Sequence, residues 1–271
     1  MLNLVVIHPK IKLISETKGY QVTMKIDLSG QKALITGGSR GLGRAICLEL
    51  AKCGAQVAFT YARSDAEAQK TIDQIALLKK LPAQAFKVSA LDQAATVAMI
   101  KQLIGNWQKI DILINNAGIS EFLPLALMEE EDWDRTLDTN LKGIFLSTKA
   151  VVQHMVKNRN GHILNIGSLA GARILAAPID YCASKAGVIG FTEALSKEVG
   201  RYNIKVNCLA PGILDGGVAK GIPENKMQDF MQQISLHRAG NFTEVARFCA
   251  FLVSNKNTYM SGTTTIMDGG L

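Results

Sequence analysis

From residue 32 onward, short apolar runs alternate with amphipathic stretches to the end of the chain. Residues 32–36 (KALIT), 56–61, 84–88, 111–114, 162–166, 204–209 and 263–267 are short and apolar-rich, and predict seven strands. Between them, 44–53, 65–80, 92–107, 130–157 and 181–201 carry helical patterns, with a helical pair at 224–235 and 243–253 before the last strand. Pro82 stops the second helix, because proline cannot continue the backbone hydrogen bonding. Continuous apolar strands separated by helices predict a parallel sheet covered on both faces. That is an α/β, doubly wound (Rossmann) seven-stranded parallel sheet with helices on both faces. Ligands of such sheets bind at the carboxyl ends of the strands, so the chemistry is sought there.

Residues 1–23 stand outside this alternation. Ile11-Lys12-Leu13-Ile14 has the pattern of a short strand, but no glycine-rich turn or periodic face continues it. They read as an N-terminal extension, most simply an upstream start chosen in place of Met24, with 24–271 forming one domain. A chain of 271 residues suits one large α/β domain, and 48% hydrophobic with 20% charged residues is ordinary for a soluble protein. No apolar run reaches the ~18–20 residues of a membrane span, and the start lacks a basic leader, so a cytoplasmic protein without membrane contact is expected. The five cysteines are scattered without a Cys-x-x-Cys pair, which predicts reduced thiols and no metal site. A net charge of +7 raises the question of nucleic acid. Without a basic cluster, and with aromatics at 6%, a surface attracting anionic small ligands is the simpler reading, and no nucleic-acid partner is expected.

Two stretches carry candidate chemistry. The turn Gly37-Gly38-Ser39-Arg40-Gly41-Leu42-Gly43 joins the first strand to the first helix. It differs from Gly-x-Gly-x-x-Gly but shares its physics: bare glycine backbone lets a pyrophosphate approach, and the helix N-terminus attracts it. A dinucleotide site follows, with Gly37, Ser39, Arg40 and Leu42 as contacts. No Gly-Lys-Ser/Thr follows, which excludes a Walker loop. The second strand ends in Tyr61-Ala62-Arg63-Ser64, with no carboxylate at its tip, and Asp65 reads as a helix N-cap. An acid there would bind a ribose 2′-hydroxyl; Arg40 and Arg63, beside Ser64, instead suit a 2′-phosphate and favour NADP(H) over NAD(H). The other stretch is Tyr181-Cys182-Ala183-Ser184-Lys185, where Tyr181 and Lys185 share a helix face one turn apart. A cation there is expected to lower the phenol pKa from its usual ~10. Ser168, at the end of the fifth strand, is placed to hold a carbonyl while Tyr181 protonates it.

Together with Asn115-Asn116-Ala117-Gly118, Asn140, Pro211-Gly212 and Asp268-Gly269-Gly270, these motifs resemble the short-chain dehydrogenase/reductase family over about residues 28–271. Within it the chain is most similar to bacterial 3-oxoacyl-acyl-carrier-protein reductases of fatty acid biosynthesis. The resemblance implies an oxidoreductase with Asn140, Ser168, Tyr181 and Lys185 as catalytic residues. Tyr181 would donate the proton, Ser168 would orient the carbonyl, and Lys185 would hold the nicotinamide ribose. Asn140 would anchor a water linking Lys185 to solvent. Asn115, Ala117 and Gly118 would flank the adenosine ribose; Pro211, Gly212 and Leu214 would hold the nicotinamide end. The substrate would be a small molecule or an acyl thioester on acyl carrier protein, and the assembly a homotetramer, or a dimer, paired through the two long helices and the last strand.

Three departures stand against that pattern. Ser89 replaces the family's aspartate after the third strand. Ile213-Leu214-Asp215-Gly216-Gly217 lacks the threonine usual after Pro-Gly, which leaves carboxamide binding to a glycine-rich backbone expected to be unusually flexible. Leu127 stands where carrier-protein reductases have a basic residue, while Lys197 keeps a second basic position. The alternatives are an oxidoreductase of another sugar, polyol or steroid, and a silent dinucleotide-binding module. The latter would be expected to have lost Ser168, Tyr181 or Lys185. Enoyl reductases of this fold space Tyr and Lys more widely, which argues against that activity.

Overall fold

A computed structural model describes residues 25–173 and 176–271; the expectations for residues 1–23 lie outside the described residues. Seven strands form one sheet: β1 (Lys32–Ile35), β2 (Gln56–Tyr61), β3 (Gln84–Lys87), β4 (Ile112–Asn115), β5 (Gly161–Ile166), β6 (Ile204–Pro211) and β7 (Thr264–Met267). Every neighbouring pair is parallel, in the order β3-β2-β1-β4-β5-β6-β7. The sequence runs outward from β1 in one direction and from β4 in the other, so a crevice opens between the carboxyl ends of these two strands.

Alternation along each strand sends successive side chains to opposite faces. On one face Ile35, Phe59, Ile114 and Leu164 pack with Ile46 and Leu50 of α1 (Gly41–Lys52) and Val245 and Cys249 further along the chain. On the other, Leu34, Leu113, Ile163 and Val206 meet Met99 and Leu103 of α3 (Gln93–Trp107) and Val151 and Met155. Both faces are dry, which is why the strands read as unbroken apolar runs. Between α1 and α3 lies α2 (Asp65–Ala76), shorter than its pattern suggested: the backbone leaves the helix and reaches a left-handed residue at Lys79.

The long helix expected over 130–157 is interrupted. It forms α4 (Glu130–Leu137), one wide π turn at Asp138–Lys142, and α5 (Gly143–Asn158). The Gly143 N–H bonds to Asp138 O across that turn. Gly143 also sits where an added Cβ would be 3.0 Å from Ala90, so the helix packs closely on the loop after β3. A four-residue helix, α6 (Leu169–Ala172), follows β5, and α7 (Ile179–Val199) begins earlier than its pattern indicated. The chain closes through α8 (Glu224–Gln233), α9 (Phe242–Leu252) and β7. Among the described residues no helix is long and apolar enough to cross a membrane, and no cluster of three or more metal-ligating side chains occurs.

Candidate active site

A cavity of about 480 Å³ runs along the carboxyl ends of the strands. At its floor, Thr36 Oγ1 accepts from the N–H groups of Asn116 (3.0 Å) and Ala117 (3.1 Å), tying the end of β1 to that of β4. The glycine turn rises from there. A Cβ on Gly38 would lie 2.4 Å from Phe59 Cβ, and one on Gly43 would lie 2.0 Å from Gly37 O, so neither tolerates a side chain. Asn116 Nδ2 donates to Thr36 O and Gly37 O and fixes the turn from inside. Arg44 fixes it from behind, donating through Nε to Ser39 O at 3.1 Å and pairing with Glu67 at 2.7 Å. At the N-cap, Arg40 is extended and makes no side-chain cap, leaving the positive end of α1 to the cavity.

Arg40, Arg63 and Ser64 all line this end, and among the described residues neither arginine forms an ion pair. Ser64, not Asp65 as expected, is the N-cap of α2: the helix already includes Asp65, and the Ser64 hydroxyl accepts from Glu67 N. The nearest acid, Asp65, is off the wall. Lys87 at 3.0 Å and the Tyr61 hydroxyl at 2.9 Å hold it, and together they keep its carboxyl below the usual range. The backbone cradle and the helix end fit a dinucleotide, with the two arginines beside them. Ser89, Ala90 and Leu91 line the wall beyond, where the usual aspartate is missing.

Ala117 and Gly118 line the cavity as expected, but the Asn115 side chain does not. It turns into the protein, donating to Thr148 Oγ1 and Asn165 Oδ1, because alternation along β4 points it away from the crevice. Its neighbour Asn116, which sequence reasoning passed over, is the asparagine on the wall.

Ser168, Tyr181 and Lys185 come together on the opposite wall. Ser168 is the N-cap of α6, accepting from Ala170 N at 3.2 Å. Lys185 is 4% exposed; its Nζ donates to Ile166 O at 2.8 Å and lies 5.7 Å from the centre of the Tyr181 ring. Burial brings the lysine pKa down to about 8, with Cys208 acting weakly the other way. The expected lowering of the Tyr181 pKa is not found. Burial raises it, and the Ser168 hydroxyl, not Lys185, is the contact that draws it back. The physical reason is placement: the ammonium sits over the ring and bonds to a carbonyl, while the phenol lies in a poorly solvated wall.

Asn140 sits on the π turn, fully buried and off the wall. Its Oδ1 accepts from Ile119 N at 2.8 Å, and its Nδ2 donates to Ile119 O at 2.9 Å and Ser184 Oγ at 3.0 Å. Ser184 in turn donates to Tyr181 O at 2.8 Å. Asn140 therefore braces the loop after β4 against the helix that carries Tyr181. Gly118 leaves room for it: a Cβ there would be 3.1 Å from Asn140 Oδ1.

Pro211, Gly212 and Leu214 line the cavity beside this group. The loop after Gly212, expected to be loose, is pinned to Gly240: the Gly240 N–H donates to Ile213 O at 3.0 Å and the Asp215 N–H to Gly240 O at 2.9 Å. Only then come the left-handed Gly216 and Gly217, both packed on the Phe242 ring. A Cβ on Gly41 would lie 3.6 Å from the same ring, so Phe242 stands between the glycine turn and this loop; nothing in the sequence pattern marks it. The far end is mostly apolar, with Ile119, Phe122, Pro178, Val218, Ile222 and Phe230. Lys226 of α8 lies over the Phe122 ring at 5.5 Å. Leu127 (65% exposed) and Lys197 stand outside the cavity.

Comparison with known proteins gives the family and agrees with the fold. Residues 31–227 match the short chain dehydrogenase family. The chain is 38% identical over 247 residues to a 3-oxoacyl-[acyl-carrier-protein] reductase, FabG, of Chlamydia muridarum, covering 90% of this chain and 98% of that protein. The Staphylococcus aureus FabG is 36% identical over 241 residues, covering 89% and 98%. Among solved structures, a short chain dehydrogenase from Burkholderia cenocepacia in complex with NADP superposes with a TM-score of 0.83 at 32% identity, covering 90% of this chain and 98% of that one. A short-chain dehydrogenase/reductase from Serratia marcescens gives the same values.

Proposed function

Because the chain belongs to the short-chain dehydrogenase/reductase family and is an oxidoreductase, we propose that it is an NADPH-dependent reductase of 3-oxoacyl thioesters, with Tyr181 as proton donor. One observation carries the reading: the half-buried Tyr181 and Ser168 share a wall of the cavity with the buried Lys185, beside Pro211 and Gly212. A nicotinamide dinucleotide held by the glycine turn at one end and by Lys185, Pro211 and Gly212 at the other would supply the hydride. The chain's own groups do the rest. Ser168 donates a hydrogen bond to the carbonyl oxygen and steadies the negative charge that develops there. Tyr181 gives that oxygen its proton, and a phenol kept protonated by burial is in the correct form to do so. Lys185, its pKa lowered only to about 8, stays largely cationic at neutral pH and would hold the nicotinamide ribose.

NADPH is favoured because Arg40 and Arg63 line the end beside the glycine turn while Asp65 and Glu67 are engaged by Lys87 and Arg44. The apolar end of the cavity suits an acyl chain, and the FabG relatives are named for 3-oxoacyl groups on acyl carrier protein. We place the enzyme in the cytoplasm, as a homotetramer. The test is turnover of a 3-oxobutanoyl thioester with NADPH, compared with simple ketones, by the parent and by Tyr181→Phe. The variant is expected to lose on the order of 10²–10⁴ in kcat at nearly unchanged NADPH affinity. A variant retaining half the activity sinks the mechanism, and turnover of ketones alone sinks the thioester assignment.

A further inference from the structure

Beneath the active site a buried hydrogen-bonded chain crosses four elements. Ser147 Oγ of α5 donates to Asn115 Oδ1 of β4 at 2.7 Å. Asn115 Nδ2 donates to Thr148 Oγ1 of α5 at 3.0 Å and to Asn165 Oδ1 of β5 at 2.8 Å. Asn165 Nδ2 donates to Thr192 Oγ1 of α7 at 2.9 Å, and that hydroxyl donates to Val188 O at 2.8 Å. All five side chains are buried. These elements are the ones that present the reacting groups. Asn115 precedes the wall residues 116–118, and Asn165 precedes Ile166, whose carbonyl holds Lys185, and then Ser168. Thr192 lies two turns along α7 from Lys185, on the same face.

We infer that Asn165 is a positioning residue, which through Asn115 and Thr192 sets the end of β5 against α7 and so fixes Ser168 relative to Tyr181 and Lys185. The Asn165 amide joins Asn115 of β4 on one side to Thr192 of α7 on the other, and a buried amide with its partners in place tolerates little displacement. Its effect belongs to the chemical step. The glycine turn, Arg40 and Arg63 lie at the other end of the cavity and take no part in the chain. The inference rests on the reading of Ser168, Tyr181 and Lys185 as the reacting group.

The experiment uses Thr192→Val, which keeps the shape and removes the acceptor, Thr192→Ser, which keeps the hydroxyl, and Asn165→Ala. Thr192→Val and Asn165→Ala are expected to lower kcat about tenfold, the scale of one lost buried hydrogen bond. NADPH affinity, read by fluorescence titration, stays within about twofold, since uniform binding is not what is lost. Thr192→Ser keeps parental kcat. If Asn165→Ala does not fold, the valine and serine variants decide between them. Parental kcat in Thr192→Val, whatever its melting temperature, overturns the inference, as does a loss of NADPH affinity equal to the loss in kcat. Tyr181→Phe, assayed alongside, separates the two claims: an active phenylalanine variant removes the chemistry on which the positioning role depends, whereas an inactive one leaves Asn165 to be judged alone.

Discussion

Arg63 is exposed at the end of β2, and the two acids closest to it in sequence are already engaged, Asp65 by Lys87 and Glu67 by Arg44. A phosphate arriving at this end meets a cation with no carboxylate to displace. A charge-assisted hydrogen bond is worth about 1.5–3 kcal/mol, so removing one changes affinity by roughly tenfold or more. Arg63→Ala is expected to raise the KM for NADPH about tenfold and leave that for NADH nearly unchanged. Equal losses with both cofactors would mean that Arg63 does not read the 2′-phosphate. At this scale the sequence was informative about residue type and less so about direction. Glycine, arginine, tyrosine and lysine announced the site through what they alone can do. Asn115 and Asn116 could not be told apart, since which one faces the cavity depends on the phase of β4 against its neighbours. Nor could spacing show that burial would outweigh Lys185 in setting the state of Tyr181: one helical turn gives proximity, and solvent exposure sets the balance.

The elements were legible where they are long and where both faces are buried, as with β1, β4, β5 and α3. The π turn was not, because a single wide turn leaves the apolar pattern of 130–157 almost unchanged while rotating Asn140 into the protein. Nor was α6, too short for any period and specified by its Ser168 cap. One strand also carries a pH dependence of its own. His162 lies in β5, mostly buried, its Nδ1 without a hydrogen-bond partner among the described residues. Burial first, and the Lys205 charge second, lower its pKa from 6.5 to about 4, against a weaker pull from the backbone of Leu252. Between those values the unfolded chain binds a proton that the folded ring refuses. This contribution to stability is therefore full above pH 6.5 and declines as the pH falls toward 4. At about pH 5 the loss amounts to about 2 kcal/mol. His162→Gln is expected to reduce the fall in melting temperature between about pH 7 and pH 5. An unchanged fall would refute the assignment.

At the scale of the whole molecule, the face formed by α4, α5 and α7 is not that of a finished surface. Phe145 is 43% exposed, and it borders a groove with Leu137, Leu141, Gly187 and Phe191. We expect a second copy to cover it, two-fold related, because a self-complementary apolar face is the usual basis of such pairs. Light scattering should give a tetramer, or a dimer, for the parent. Phe145→Glu should give a smaller species, and a monomeric parent at micromolar concentration excludes this pairing. Leu28 is buried in the core that α1 and α9 share, its N–H donates to Cys53 O at 2.8 Å, and Ile26 packs against the same cluster. The central strand β1 follows within a few residues, and every wall residue of the cavity lies beyond it. A chain starting at Met24 keeps all of these contacts, so it should fold, assemble and turn over substrate as the full chain does. Its melting temperature is the decisive reading. A fall of several degrees, or aggregation, would assign residues 1–23 to packing on the body or on a neighbouring subunit, and lost activity at unchanged stability would assign them to the substrate cleft.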